Sequence, residues 1–199
     1  MKPQLHAQWY ALQLQWQKSI LAVYRSANPD HITEGIRWYP FATSTLAELR
    51  LTSGVPITAE AVAAICAVLS PRITWQSNIE GVRRILRAKR QGTRVPPVVA
   101  GLMRNADKAW DIANGGSLDQ VTGPKVSAFY ANLTGNLQRV TIDVWAARAA
   151  GVDDSAMTHL DRYRYVYLER AYQAVVAEIG FQCVEVQALC WIVVRGQGE

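Results

Sequence analysis

The chain has no run approaching 18 uninterrupted apolar residues, although half of its 199 residues are apolar, so no segment reads as a membrane-spanning helix. Glutamines interrupt the N-terminal stretch MKPQLHAQWYALQLQWQ where a secretory signal would need its apolar centre. A soluble protein of the cytoplasm with no membrane partner is expected. There are only three cysteines, Cys66, Cys183 and Cys190, each inside an apolar helical pattern. They suit neither a disulfide framework nor a metal cluster and are expected to pack as small hydrophobes. No metal and no cofactor is expected. Strand-like alternation and a repeat of 20 to 50 residues are both missing.

What remains is helical periodicity. Leu5, Trp9, Leu12, Trp16, Ile20 and Tyr24 mark a first amphipathic helix, ended by Asn28-Pro29-Asp30. Thr33 opens a second, with Ile36, Tyr39, Ala42, Leu46 and Leu49 on one face and Pro40 as a point of bending or breakage. Thr58 caps AVAAICAVL, which is apolar on nearly all sides and so central to the core. Thr74 caps a helix with Trp75, Ile79, Val82, Ile85 and Leu86 on its buried face. Asn105 to Ile112, Leu160 to Ile179 and Val184 to Val194 complete the set, giving an all-α fold of eight to ten short helices in one domain over residues 1–199.

The formal charge of +5 permits a polyanionic partner without demanding one. Its strongest local expression is Arg83, Arg84, Arg87, Lys89 and Arg90, followed by a basic loop containing Arg94. Such a stripe is either a solvated face whose stems cover apolar surface or a set of phosphate contacts.

The chain is organised around Leu118 to Gly151. Thr122-Gly123-Pro124-Lys125 is a tight turn followed by a helix with Val126, Phe129, Tyr130 and Leu133 at helical spacing, and Pro124 suits its first position. Val140-Thr141-Ile142-Asp143 then leads into a short apolar helix ending at Gly151, so Asp143 caps or opens that helix. An amine beside a helix N-terminus, partly desolvated by Pro124, Val126 and Phe129, is biased toward its neutral, nucleophilic form. A carboxylate such as Asp143 can act as a base or stabilise positive charge developing on a sugar. Taken singly, a turn lysine is a solvated group or phosphate contact, and an aspartate before a helix is an N-cap.

Several segments together resemble the helix-hairpin-helix DNA glycosylase superfamily, which includes endonuclease III and the 8-oxoguanine glycosylases. Gly123-Pro124-Lys125-Val126-Ser127-Ala128 resembles the second half of the hairpin, where a lysine after the last glycine is the nucleophile of bifunctional members. Val140-Thr141-Ile142-Asp143-Val144-Trp145 resembles the segment bearing the catalytic aspartate. Val68 to Asn78 is similar to the helix junction near DNA, and Asn105 to Ile112 to the helix preceding the hairpin. The pattern is also similar to phage-type proteins of glycosylase fold, for which the compartment would be the host cytoplasm.

The departures are a hairpin with only its second glycine, Trp145 in place of the usual histidine, and no four-cysteine tail. The resemblance implies a compact two-lobed helical bundle, monomeric, with duplex DNA as partner. Lys125 and Asp143 would be catalytic, with side chains within about 8 Å in one pocket bordered by Trp145 and the Arg72 junction. The Gly123-Pro124 turn, with Arg83, Arg87, Arg90 and Arg94, would hold phosphates, and Arg72 would fill the gap left by a flipped base or serve as plain surface. Three activities follow: an N-glycosylase with or without lyase activity, a base-modifying enzyme on the same scaffold, or a DNA-binding module without chemistry.

Overall fold

The computed structural model describes residues 3–93, 99–153 and 162–196, with side-chain surroundings from residue 7 onward in the first span and from residue 163 in the last. Every regular element described is helical: α1 (Pro3–Ser26), α2 (Pro29–Thr52), α3 (Ala59–Leu69), α4 (Trp75–Arg90), α5 (Met103–Ala113), a 3-10 turn (Leu118–Gln120), α6 (Pro124–Leu133), α7 (Val144–Ala149), α8 (Arg162–Ile179) and α9 (Cys183–Gly196). The chain divides into two units, Met1–Pro40 with Gly135–Glu199, and Phe41–Thr134.

In the first unit α1 packs on α8, α9 and α7, and α9 packs on α7 and α8. Trp9 stacks on Tyr167 at 5.8 Å and Trp16 and Ile20 are buried, whereas Leu12 of the expected apolar face is exposed. The second helix starts at Pro29, four residues before Thr33, because Asn28 both ends α1 and caps α2: its Oδ1 accepts the His31 N–H at 2.8 Å, and Pro29 supplies a preset φ at the first position. Pro40 does not break the helix. Loss of one internal hydrogen bond is tolerated where Tyr39 and Ala42 on either side are buried.

Ile36, expected inward, is exposed because its neighbour Gly35 is the buried contact. A Cβ at residue 35 would lie 2.8 Å from Leu189 Cβ and 2.9 Å from the Leu189 backbone in α9. Since that obstacle includes backbone, Gly35→Ala is expected to destabilise the chain by about 1–3 kcal/mol, read as a lowered midpoint in urea unfolding.

The second unit is built on α3, whose residues Val62 to Leu69 are all buried against α4, α5 and α6. Its cap is the expected one, with Thr58 Oγ1 accepting from Ala61 N at 3.1 Å. Thr74 does the same for α4, accepting from Ser77 N at 3.2 Å. Three asparagines, Asn78, Asn105 and Asn132, are buried in this unit; Asn78 Nδ2 donates to Cys66 O at 3.1 Å while its Oδ1 has no hydrogen-bond partner.

Candidate functional site

Asp143 follows a run of three buried residues, Val140, Thr141 and Ile142. Two of the three are β-branched aliphatic residues, and the run lies outside regular structure. Its backbone groups must therefore find side-chain partners. Tyr165 Oη donates to Val140 O at 2.8 Å and accepts from Ile142 N at 3.1 Å. Glu169 Oε1 accepts from Val140 N at 2.9 Å and from Arg139 Nε at 2.7 Å. Tyr39 Oη donates to Gln187 Oε1 at 3.0 Å and stands 3.3 Å from Thr141 Oγ1. Tyr172 Oη donates to Ala146 O at 2.7 Å in the helix that follows.

Within this frame Asp143 is the N-cap of α7, its Oδ1 accepting the Ala146 N–H at 2.8 Å. The cap predicted from sequence is thus present, and the residue is half-buried. Trp145, two residues further on, is also half-buried, with the Arg148 guanidinium 4.6 Å from its ring centroid.

Burial pushes the Tyr39, Tyr165 and Tyr172 phenols far above their ordinary range, and the Asp143 carboxylate adds to the rise in each. All three therefore remain neutral hydrogen-bond donors around an anionic cap. Tyr165→Phe leaves Val140 O and Ile142 N buried without that partner, and is expected to cost about 1–3 kcal/mol in chemical denaturation.

Periodicity put Tyr39 on an inward face but assigned none of the three tyrosines this bonding role. The available signal was tyrosine at the buried positions of apolar helices, where each hydroxyl must have a partner.

Lys125 belongs to the second unit. Gly123 has φ 90° and ψ 143°, a conformation only glycine adopts without strain, and Pro124 opens α6 with no side-chain cap. Lys108 on α5 braces the turn, its Nζ lying 3.1 Å from Thr122 Oγ1 and 3.4 Å from Gln120 O. Ser127 Oγ donates back to Val121 O at 3.1 Å, and Gln120 Nε2 meets the Asp111 carboxylate. Gly123 and Pro124 are exposed, and Lys125 is half-buried. Lys108 is a functional candidate that nothing in the order of residues marked as reaching the turn.

Arg72, between α3 and α4, is exposed and has φ 64°, the one described non-glycine residue in the left-handed region. Arg83, Arg87 and Arg90 share one face of α4 and, with Leu49, Thr52, Ser53 and Leu86, line a concavity of about 250 Å³ in the second unit. Arg83 is also paired to Glu80 at 2.8 Å. Lys89, grouped with them by sequence, instead reaches Ala113 O at the end of α5. Arg94 lies outside the described residues.

Of the expected constellation, then, Lys125, Gly123, Pro124, Arg72 and the α4 arginines belong to one unit, and Asp143 and Trp145 to the other. Among the described residues no group of three or more His, Cys, Asp or Glu side chains could hold a metal ion, and no single helix is long and apolar enough to cross a membrane.

No curated protein and no solved structure matches the chain. A family model does, over residues 4–198, and by that match the chain belongs to the Family of unknown function (DUF7178).

Proposed function

We propose that this protein binds duplex DNA and removes a base from it, as an N-glycosylase in which Lys125 is the nucleophile and Asp143 the assisting carboxylate. The observation that supports this most is the α5–turn–α6 segment. Gly123 in its glycine-only conformation, Pro124 at the first helical position and the Lys108 brace hold a rigid turn whose backbone amides and positive helix end suit a phosphate oxygen. Lys125 is the first residue after that proline.

In the proposed reaction the Lys125 amine attacks C1′ of a flipped nucleotide as the N-glycosidic bond breaks, and the ring-opened sugar is left as a Schiff base on Nζ. The proton lost by the amine leaves with the departing base, and Asp143 is assigned the offsetting of positive charge that develops on the sugar.

Borohydride trapping tests the proposal. Reduction should lock the protein to a DNA strand carrying a susceptible lesion or an abasic site, and Lys125→Ala should abolish the adduct while leaving DNA binding largely intact. Binding without an adduct or released base on any lesion-bearing strand would leave a DNA-binding module. Base substitution in the presence of a small nucleophile would mark a modifying enzyme.

A further inference from the structure

The concavity beside α4 has a composition that neither the turn nor the Asp143 segment explains. Leu49 and Leu86 contribute apolar wall, while Arg83, Arg87 and Arg90, three basic residues of one helix face, line the same small space. Glu80 engages Arg83 and, at 3.1 Å, Arg84. Among the described residues no carboxylate pairs with Arg87 or Arg90, three residues apart on the same face of α4.

The C-terminal ends of α2 and α4 lie at this place, and each carries about half a negative charge. Glu80 offsets one of the three positive charges through Arg83 and the two helix ends offset about one more, so a net charge of about +1 remains, carried by Arg87 and Arg90. The Thr52 and Ser53 hydroxyls donate to Glu48 O and Arg50 O, which leaves recognition to the guanidiniums.

We infer that this hollow is a phosphate site in which Arg87 and Arg90 grip the oxygens. Planar guanidinium forks match phosphate geometry, and two adjacent forks without carboxylate partners are an arrangement an oxyanion completes. The hollow, about 250 Å³, has room for one or two phosphate groups. The phosphate can belong to a nucleic-acid backbone or to a free polyphosphate. The inference stands apart from the base-removal chemistry, because none of these residues belongs to it.

The test uses the full chain and its Arg87→Gln/Arg90→Gln variant, with pyrophosphate followed by calorimetry and a duplex oligonucleotide followed by anisotropy across a salt series. A phosphate site predicts one or both of two results. Pyrophosphate binds the wild type and binding is lost in the variant, which marks a free polyphosphate. Alternatively, the slope of log affinity against log salt for DNA falls by about one to two in the variant, which marks the backbone. Retained folding of the variant, read by circular dichroism, validates either comparison. A wild type that ignores pyrophosphate, together with an unchanged DNA salt slope, overturns the inference even if lysine trapping succeeds. Pyrophosphate binding with no DNA affinity at all sustains it while the glycosylase reading fails.

Discussion

Asp143→Asn is expected to lower single-turnover base release by about two to four decades while leaving the fold intact, because the substitution removes an anion and keeps a hydrogen-bond acceptor. The structural half of that expectation follows from the cap. Asp143 Oδ1 accepts the Ala146 N–H, and asparagine caps about as well as aspartate. Tyr172 and Tyr165 hold the flanking backbone, and Tyr39 the Thr141 side chain, through bonds that do not involve residue 143. Thermal unfolding of Asp143→Asn should therefore stay close to that of the parent. Asp143→Ala removes the acceptor as well and should cost about 1 kcal/mol more.

A purely structural Asp143 gives the opposite ranking, with stability falling in the alanine variant and activity surviving in both. Measuring the rate and the unfolding midpoint on the same two proteins separates the cases. A further readout is the phenols: since the Asp143 charge raises the Tyr39, Tyr165 and Tyr172 pKa values alongside burial, its removal should lower the pH at which they ionise.

Those phenols carry the second large effect, a cooperative loss of structure in the first unit at alkaline pH. All three are at most 3% exposed, and burial holds their folded pKa values well above the unfolded value of about 10. A raised folded pKa means that the stabilisation is fully present below pH about 10 and is lost as pH climbs past it, since only the unfolded chain can then ionise freely.

Each tyrosine contributes a loss of roughly 1.4 kcal/mol per pH unit, and three together about 4. Within two to three pH units that sum is comparable with the roughly 5–15 kcal/mol that holds an ordinary domain folded. Burial also raises Cys190 to about 12 and Cys183 to about 11, which extends the trend toward somewhat lower pH.

Tyrosinate absorbance and circular dichroism followed together through this range should change in one coincident step. Tyr39→Phe should make the pH dependence shallower by about one proton. Tyrosinate signal from all three appearing gradually, with helicity unchanged, would show that the hydroxyls reach solvent without unfolding.

Much of the secondary structure is local chemistry and could be read from the residues in order. Thr58, Thr74 and Asp143 cap the helices they precede because a short side chain with an oxygen, placed before an apolar periodic run, satisfies amides that have no other partner. Pro124 opens α6 and Gly123 takes a positive φ for reasons confined to two adjacent residues. The all-α class follows from periodicity alone, and α3 as a central helix follows from its having no polar face.

Three-dimensional packing decided the rest. That Gly35 and not Ile36 faces inward depends on the approach of Leu189, which is 154 positions away in the chain. Nothing near residue 140 announces that Tyr165, Tyr39 and Glu169 will complete its hydrogen bonds, because the partners are supplied by α8 and α2. Helical spacing put Arg83, Arg87 and Arg90 on one face, but their joining Leu49, Thr52 and Ser53 around a hollow required α2 to end beside α4. Periodicity fixes which face of a helix is wet, whereas the shape of what that face borders is set by long-range packing that local propensity does not encode.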